Sequence, residues 1–133
     1  MTAKNVKKRL LIIDDEANMR HMLATVLKKA DYQVETAADG AEGLEMIQQS
    51  AYDFILCDIK MPKMGGMEFL KLSRNRIGAA TVIMLSAYGS IDTAIKAMKS
   101  GAYDYISKPF KTDEVYLTLK KAEERESLKA ENR

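Results

Sequence analysis

Leu10-Leu11-Ile12-Ile13-Asp14-Asp15 is a run of branched apolar residues that stops abruptly at two carboxylates. The apolar part shows no polar alternation. A strand written this way has both faces buried, which is the situation in a parallel sheet covered by helices. We assign it to residues 9–13. Working outward, residues 17–30 form a helix, because Met19, Met22, Leu23, Val26, Leu27 and Ala30 recur at i, i+3, i+4 and i+7. Residues 33–36 make a short strand, and Ala41, Leu44 and Ile47 mark the next helix. A third strand, 53–57, runs into Asp58, and the Pro and Gly residues of Lys60–Gly66 break the chain into a loop. A helix at 66–74 leads to a fourth strand at 81–85, which ends before Ser86. Ile91, Ala94, Ile95 and Met98 line a helix face closed near Gly101. The fifth strand, 103–107, ends before Lys108-Pro109, and a last helix starts near Thr112, a natural N-cap.

Strand and helix alternate five times in this reading. That pattern predicts an α/β fold with a five-stranded doubly wound parallel sheet and helices on both faces. Right-handed crossovers and the chain length favour the flavodoxin-like strand order 2-1-3-4-5. Ligands of such sheets bind outside the carboxyl ends of the strands, where the order reverses between the first and third. Asp14-Asp15 and Asp58 stand at the ends of those two strands.

The 133 residues suit one domain, and the 47% hydrophobic and 30% charged composition is that of a soluble globular chain. The expected layout is a basic leader at 1–8, a globular body at 9–121 and a charged helical extension or linker at 122–133. A net charge of +2 gives no electrostatic footprint for nucleic acid. No stretch is long and apolar enough for a membrane span, and Cys57, the single cysteine, cannot form an internal disulfide. A reducing, cytoplasmic setting with Cys57 as a buried hydrophobe is the expectation. In the extension, Lys120–Glu124 and Glu126–Lys129 are spaced for pairing on a helix surface.

Asp14, Asp15, Asp58, Ser86 and Lys108 become one constellation if the strands are parallel, since all then emerge at the same edge. Taken singly, each has an ordinary role: a helix cap, a turn residue, a surface lysine. Four strands ending independently in such groups is harder to reconcile with accident. Three clustered carboxylates carry about −3 and cannot all stay ionised unaided. Lys108 returns about +1 and a Mg²⁺ about +2. Mg²⁺ suits carboxylates, waters and phosphate oxygens, whereas zinc is disfavoured because His21 is the only histidine. Asp58 in such a site can attack phosphorus as a nucleophile, with Lys108 and Ser86 holding the phosphoryl oxygens.

Ile13-Asp14-Asp15-Glu16, Cys57-Asp58-Ile59-Lys60-Met61-Pro62, Leu85-Ser86-Ala87 and Lys108-Pro109-Phe110, in that order, resemble the receiver domain of two-component response regulators. The resemblance runs from about Arg9 to about Ala122. It implies a signalling switch, not an enzyme with a separate substrate, in which Asp58 accepts a phosphoryl group from a sensor histidine kinase. It also implies that Asp15 binds Mg²⁺ directly, Asp14 mainly through water, and the backbone carbonyl of Lys60 completes the metal site. By the same resemblance Ser86 and Lys108 contact the phosphoryl group, Lys108–Pro109 is cis, and Ser86 and Tyr105 form the switch. Lys60 and Tyr88 stand where the family tunes loss of the phosphoryl group, and Tyr88 is expected to screen it. The stretch Gly101–Phe110 and the charged end Glu126–Arg133 look most like receivers joined through a linker to sigma-54-dependent transcriptional activators of the nitrogen-regulation type. An output domain in cis, outside this sequence, and a homodimer through the last helices are the implied partners; direct nucleic-acid or membrane binding is not. A stand-alone receiver acting through protein contacts is the alternative. An Asp-nucleophile phosphatase of the haloacid-dehalogenase type fits less well, because it resembles Asp-x-Asp after the first strand where this chain has Asp14-Asp15-Glu16.

Overall fold

A computed structural model describes residues 7–74, 80–86 and 91–131. Five strands, β1 (Arg9–Ile13), β2 (Gln33–Ala37), β3 (Phe54–Asp58), β4 (Thr81–Ser86) and β5 (Asp104–Ser107), alternate with five helices, α1 (Ala17–Lys29), α2 (Gly40–Gln49), α3 (Gly66–Ser73), α4 (Ile91–Lys99) and α5 (Thr112–Glu131). All strand pairs are parallel and the sheet order is β2-β1-β3-β4-β5. The expected topology is therefore the observed one.

Period-2 alternation divides the core between the two sheet faces. Leu10, Ile12, Phe54, Leu56, Ile83, Leu85 and Ile106 point to the side covered by α1 and α5, where they meet Leu23, Leu27, Val115, Leu119 and Ala122. Leu11, Ile13, Ile55, Cys57, Val82 and Met84 point the other way, onto Ile47 of α2, Phe69 and Leu70 of α3 and Ala97 of α4. The inner strands β1, β3 and β4 are buried on both sides, which is why their sequences carry no polar alternation, whereas the edge strands β2 and β5 are partly exposed and carry polar residues.

Register brings the strand ends level. Ile13 lies beside Cys57, Cys57 beside Met84, and Ser86 beside Ser107. The expected boundaries shift by a residue in places. Asp58 and Ser86 are the last residues of their strands rather than the first beyond them, and Asp53 stands before β3, where its carboxylate accepts a bond from the Arg9 amide at 2.8 Å. Tyr103 lies just outside β5. Of the apolar positions of α1, Leu23 and Leu27 are buried whereas Met22 is exposed.

The last helix continues through residue 121 without a break, and Ala122 is buried in the core. Beyond it the charged turns still touch the body. The Tyr32 hydroxyl donates to the Glu123 carboxylate, Lys120 lies over the Tyr32 ring at 5.5 Å, and the Arg125 guanidinium lies 5.3 Å from the Tyr103 ring centroid. On the helix itself Lys120 pairs with Glu123 at 3.6 Å, where Glu124 was the expected partner.

Candidate functional site

Strand β1 delivers Asp14 at its end, and the turn Asp14–Glu16 leads into α1. The Asp14 amide donates to the Ala37 carbonyl at 3.1 Å, which extends the β1–β2 ladder by one bond. Its Oδ1 accepts the Glu16 amide at 2.9 Å, a local turn that substitutes for a side-chain cap, since Glu16 at the N-cap position makes none. Strand β3 delivers Asp58. The Ile59 amide then donates to the Leu85 carbonyl at 2.8 Å, and the Gly66 amide donates to the Ile59 carbonyl at 2.8 Å, folding the 59–65 loop back against the strand end. Gly66 is needed there: a Cβ would lie 2.2 Å from the Asp58 carbonyl oxygen.

Lys108 reaches in from the end of β5. Its amide donates to the Ser86 carbonyl at 2.7 Å, and the Lys108–Pro109 peptide is cis. Its Nζ donates to Asp14 Oδ2 at 3.0 Å and to Asp58 Oδ2 at 3.3 Å, with Glu16 Oε1 at 3.6 Å. The Lys108 side chain is 9% exposed and Asp14 is fully buried. Carboxylate oxygens of Asp14, Asp15 and Asp58 lie within 4.8 Å of one another.

The electrostatics follow from this crowding. Burial raises the Asp58 carboxyl above its ordinary value, and the neighbouring Asp14 charge adds to the rise; Lys108 only partly offsets them. Burial alone would depress the Lys108 ammonium, but its bonds to Asp14 and Asp58 and their charges outweigh it and hold it up. Among the described residues Lys108 is thus the cation bonded to the buried carboxylates, and it faces Asp14, Asp15 and Asp58 with Glu16 beside them. The set remains short of positive charge, and all its acceptors are hard oxygens. That donor chemistry fits Mg²⁺, which takes oxygen ligands and dehydrates reluctantly.

Among the predicted site residues, Asp14, Asp15, Asp58 and Lys108 come together. Ser86 is buried at the end of β4, one bond from Lys108 through its carbonyl. Lys60 lies in the loop after β3 with its side chain exposed. Tyr105 packs on the opposite sheet face from the Asp14 and Asp58 strand positions, against the core shared with α4, and its buried hydroxyl has no hydrogen-bond partner among the described residues. Tyr88 and Ala87 lie outside the described residues. Cys57 is fully buried, and burial pushes its thiol far up, with Asp58 and Asp14 adding to the shift.

Two polar contacts at the site were not anticipated from the sequence: Glu16 beside Lys108, and Arg20, whose Nη1 donates to the Asp14 carbonyl at 2.7 Å. A helical side chain leans toward its own N-terminus, so a long residue at the end of the first turn can reach the preceding loop. The spacing of Asp14 and Arg20 therefore held that signal.

A family model described as the response regulator receiver domain matches residues 10–120. The regulatory protein AtoC of Escherichia coli (strain K12) is 38% identical over 133 residues, which is 100% of this chain and 28% of that protein. The NtrX structure from Brucella abortus aligns at a TM-score of 0.87 and 32% identity, covering 95% of this chain and 29% of that one. A CheY-like receiver domain protein from Methanospirillum hungatei JF-1 aligns at a TM-score of 0.88 and 29% identity, covering 93% of this chain and 99% of that one. The chain spans 28% and 26% of the length of two of the curated relatives it matches.

Proposed function

Because this chain belongs to the response regulator receiver domain family, we propose that it is a phosphorylation-driven switch in which Asp58 accepts a phosphoryl group from a sensor histidine kinase. The observation that carries this reading is the Lys108 ammonium, nearly buried, bridging Asp14 and Asp58 beside a third carboxylate at the reversal point of the sheet. Structural ion pairs do not need a third unpaired acid. A metal-assisted phosphoryl-transfer site does, because the additional carboxylate offsets the charge of the divalent cation that the transfer uses.

Asp14, Asp15 and Asp58, with the Lys60 carbonyl, would hold Mg²⁺, which supplies positive charge to the attacking carboxylate and the transferring group. An Asp58 carboxylate oxygen forms the new bond to phosphorus. The bond from phosphorus to the donor breaks, and its electron pair leaves with the donor. Lys108 Nζ, already between the two buried acids, turns its protons toward the phosphoryl oxygens, and Ser86 donates from the end of β4. Asp14 is positioned by its bonds to the Glu16 amide and Lys108, so little reorganisation is needed.

Tyr105 supports the switch. Its hydroxyl is buried without a partner, a costly arrangement that a change around Ser86 can relieve. The added charge shifts an equilibrium between two surfaces of α4, β5 and α5. Ile91, Ile95 and Met98 of α4 and Leu117 and Leu128 of α5 are exposed there, which supports a homodimer through the last helices. The likeness to AtoC, of whose length this chain spans 28%, supports an output domain in cis, and the resemblance of Gly101–Phe110 and Glu126–Arg133 to receivers of sigma-54-dependent activators supports a transcriptional role of that type. Among the described residues no helix is long and apolar enough to cross a membrane, and a cytoplasmic location is part of the proposal.

Incubation with acetyl phosphate and Mg²⁺ followed by intact-mass measurement tests this reading. One added phosphoryl group is expected, absent without Mg²⁺ and absent in Asp58→Asn. An unmodified mass at saturating donor and Mg²⁺ refutes it.

A further inference from the structure

The turn bearing Asp14 and Asp15 is held by a side chain that lies outside the acidic set. Each polar atom of Asp14 has a defined partner. Its amide donates to Ala37 O at 3.1 Å, Oδ1 accepts from the Glu16 amide at 2.9 Å, Oδ2 accepts from Lys108 at 3.0 Å, and its carbonyl oxygen accepts from Arg20 Nη1 at 2.7 Å. The first three place the Asp14 residue. The fourth acts one residue further along.

The Asp14 carbonyl belongs to the peptide that joins Asp14 to Asp15. That unit is planar, so fixing its oxygen fixes the Asp15 nitrogen and Cα as well. Asp15 is exposed, yet its carboxylate lies within 4.8 Å of those of Asp14 and Asp58. Arg20 is itself anchored, since its amide donates to the Glu16 carbonyl at 3.0 Å in the first turn of α1. Helix, guanidinium and peptide plane make a short rigid path from α1 to the Asp15 backbone.

We propose that Arg20 is a positioning residue for divalent-cation binding: by clamping the Asp14–Asp15 peptide it aims the Asp15 carboxylate at the metal site. The proposal rests on the Mg²⁺-dependent reading above. Two effects of Arg20 oppose each other in sign. Its positive charge beside the acids repels a cation, so simple loss of charge tightens Mg²⁺ binding. Its hold on the peptide preorganises a ligand, so loss of the clamp weakens binding. The clamp dominates in this proposal, because outer partners that orient metal ligands commonly contribute about tenfold or more in affinity.

Amide-shift NMR titration with magnesium chloride, on the whole chain, separates these effects. Arg20→Met is expected to bind Mg²⁺ about tenfold more weakly than the parent, with the Asp15 amide displaced before metal is added. Arg20→Lys, which keeps the charge and a single donor, falls between the two. An Arg20→Met affinity equal to or tighter than the parent's overturns the proposal, as does a lowered Tm with unchanged Mg²⁺ affinity well below the melting range. If Arg20→Met does not fold, a parent-like affinity in Arg20→Lys and Arg20→Gln overturns it and a graded loss supports it. A parent chain that shows no Mg²⁺ shifts refutes the metal reading itself, and the positioning role with it; that result is distinct from an insensitive variant beside a binding parent.

Discussion

At Asp58 the protein keeps a carboxylate where burial and a neighbouring acid both disfavour its charge. Folding raises its pKa above the unfolded value near 3.8, so the folded form binds the proton more tightly. Stability from that proton is complete below the unfolded pKa. It is lost as pH climbs through the raised folded value. In Mg²⁺-free buffer Asp58→Asn is therefore expected to melt higher than the parent at pH 7 and to match it near pH 3. A variant that melts lower at pH 7 contradicts the repulsion described here. Tyr105 offers a second test. Its hydroxyl is buried with no partner among the described residues, and such a group costs about 1–3 kcal/mol. Tyr105→Phe should raise the unfolding free energy of the unphosphorylated chain by about 1 kcal/mol in urea melts. A fall of similar size would mean that the hydroxyl has a stabilising partner.

Among the elements, α5 is tied to the body well past its buried stretch. Tyr32, just before β2, donates to Glu123, and Tyr103, just before β5, lies against Arg125. Tyr32→Phe keeps the ring packed on Phe54 at 6.1 Å but removes the bond to α5. We expect a loss of about 1 kcal/mol and faster amide exchange in the last turns of α5, with β1 and β3 unaffected. Unchanged protection there would show that the bond does not hold the helix.

These contacts also mark where the sequence stops being legible. The strands announced themselves, because burial on both faces leaves no polar residue inside Leu10–Ile13 or Phe54–Cys57, and the helix faces followed from their spacing. Asp14 and Asp58 were readable because each terminates such a run, and Lys108 because it follows the fifth strand. The charged turns after Lys120 gave no such signal. Their partners Tyr32 and Tyr103 are distant in sequence, 91 residues in the case of Tyr32 and Glu123, and local spacing suggested Lys120–Glu124 where the helix pairs Lys120 with Glu123. The Arg20 clamp was hidden for another reason: spacing puts Arg20 within reach of the turn before α1, but its target there is a backbone carbonyl, which no residue type advertises.

Over the whole molecule, the reversal between β1 and β3 gathers three acids and a lysine at one edge, while Ser86 ends β4 beside β5 and Tyr105 packs against the core shared with α4. In the proposed switch, a covalent event at Asp58 acts through Ser86 and Tyr105 on the helices that carry Ile91, Ile95 and Leu117, all exposed. Everything in this scheme depends on where the phosphoryl group lands. Borohydride reduces an aspartyl phosphate to homoserine, which leaves a permanent record of the acceptor in peptide mass spectra. After treatment with acetyl phosphate and Mg²⁺, homoserine is expected at position 58 and nowhere else, with none formed when Mg²⁺ is withheld. Homoserine at Asp14 or Asp15, or its absence from position 58 in a chain that has gained a phosphoryl group, would contradict Asp58 as the acceptor.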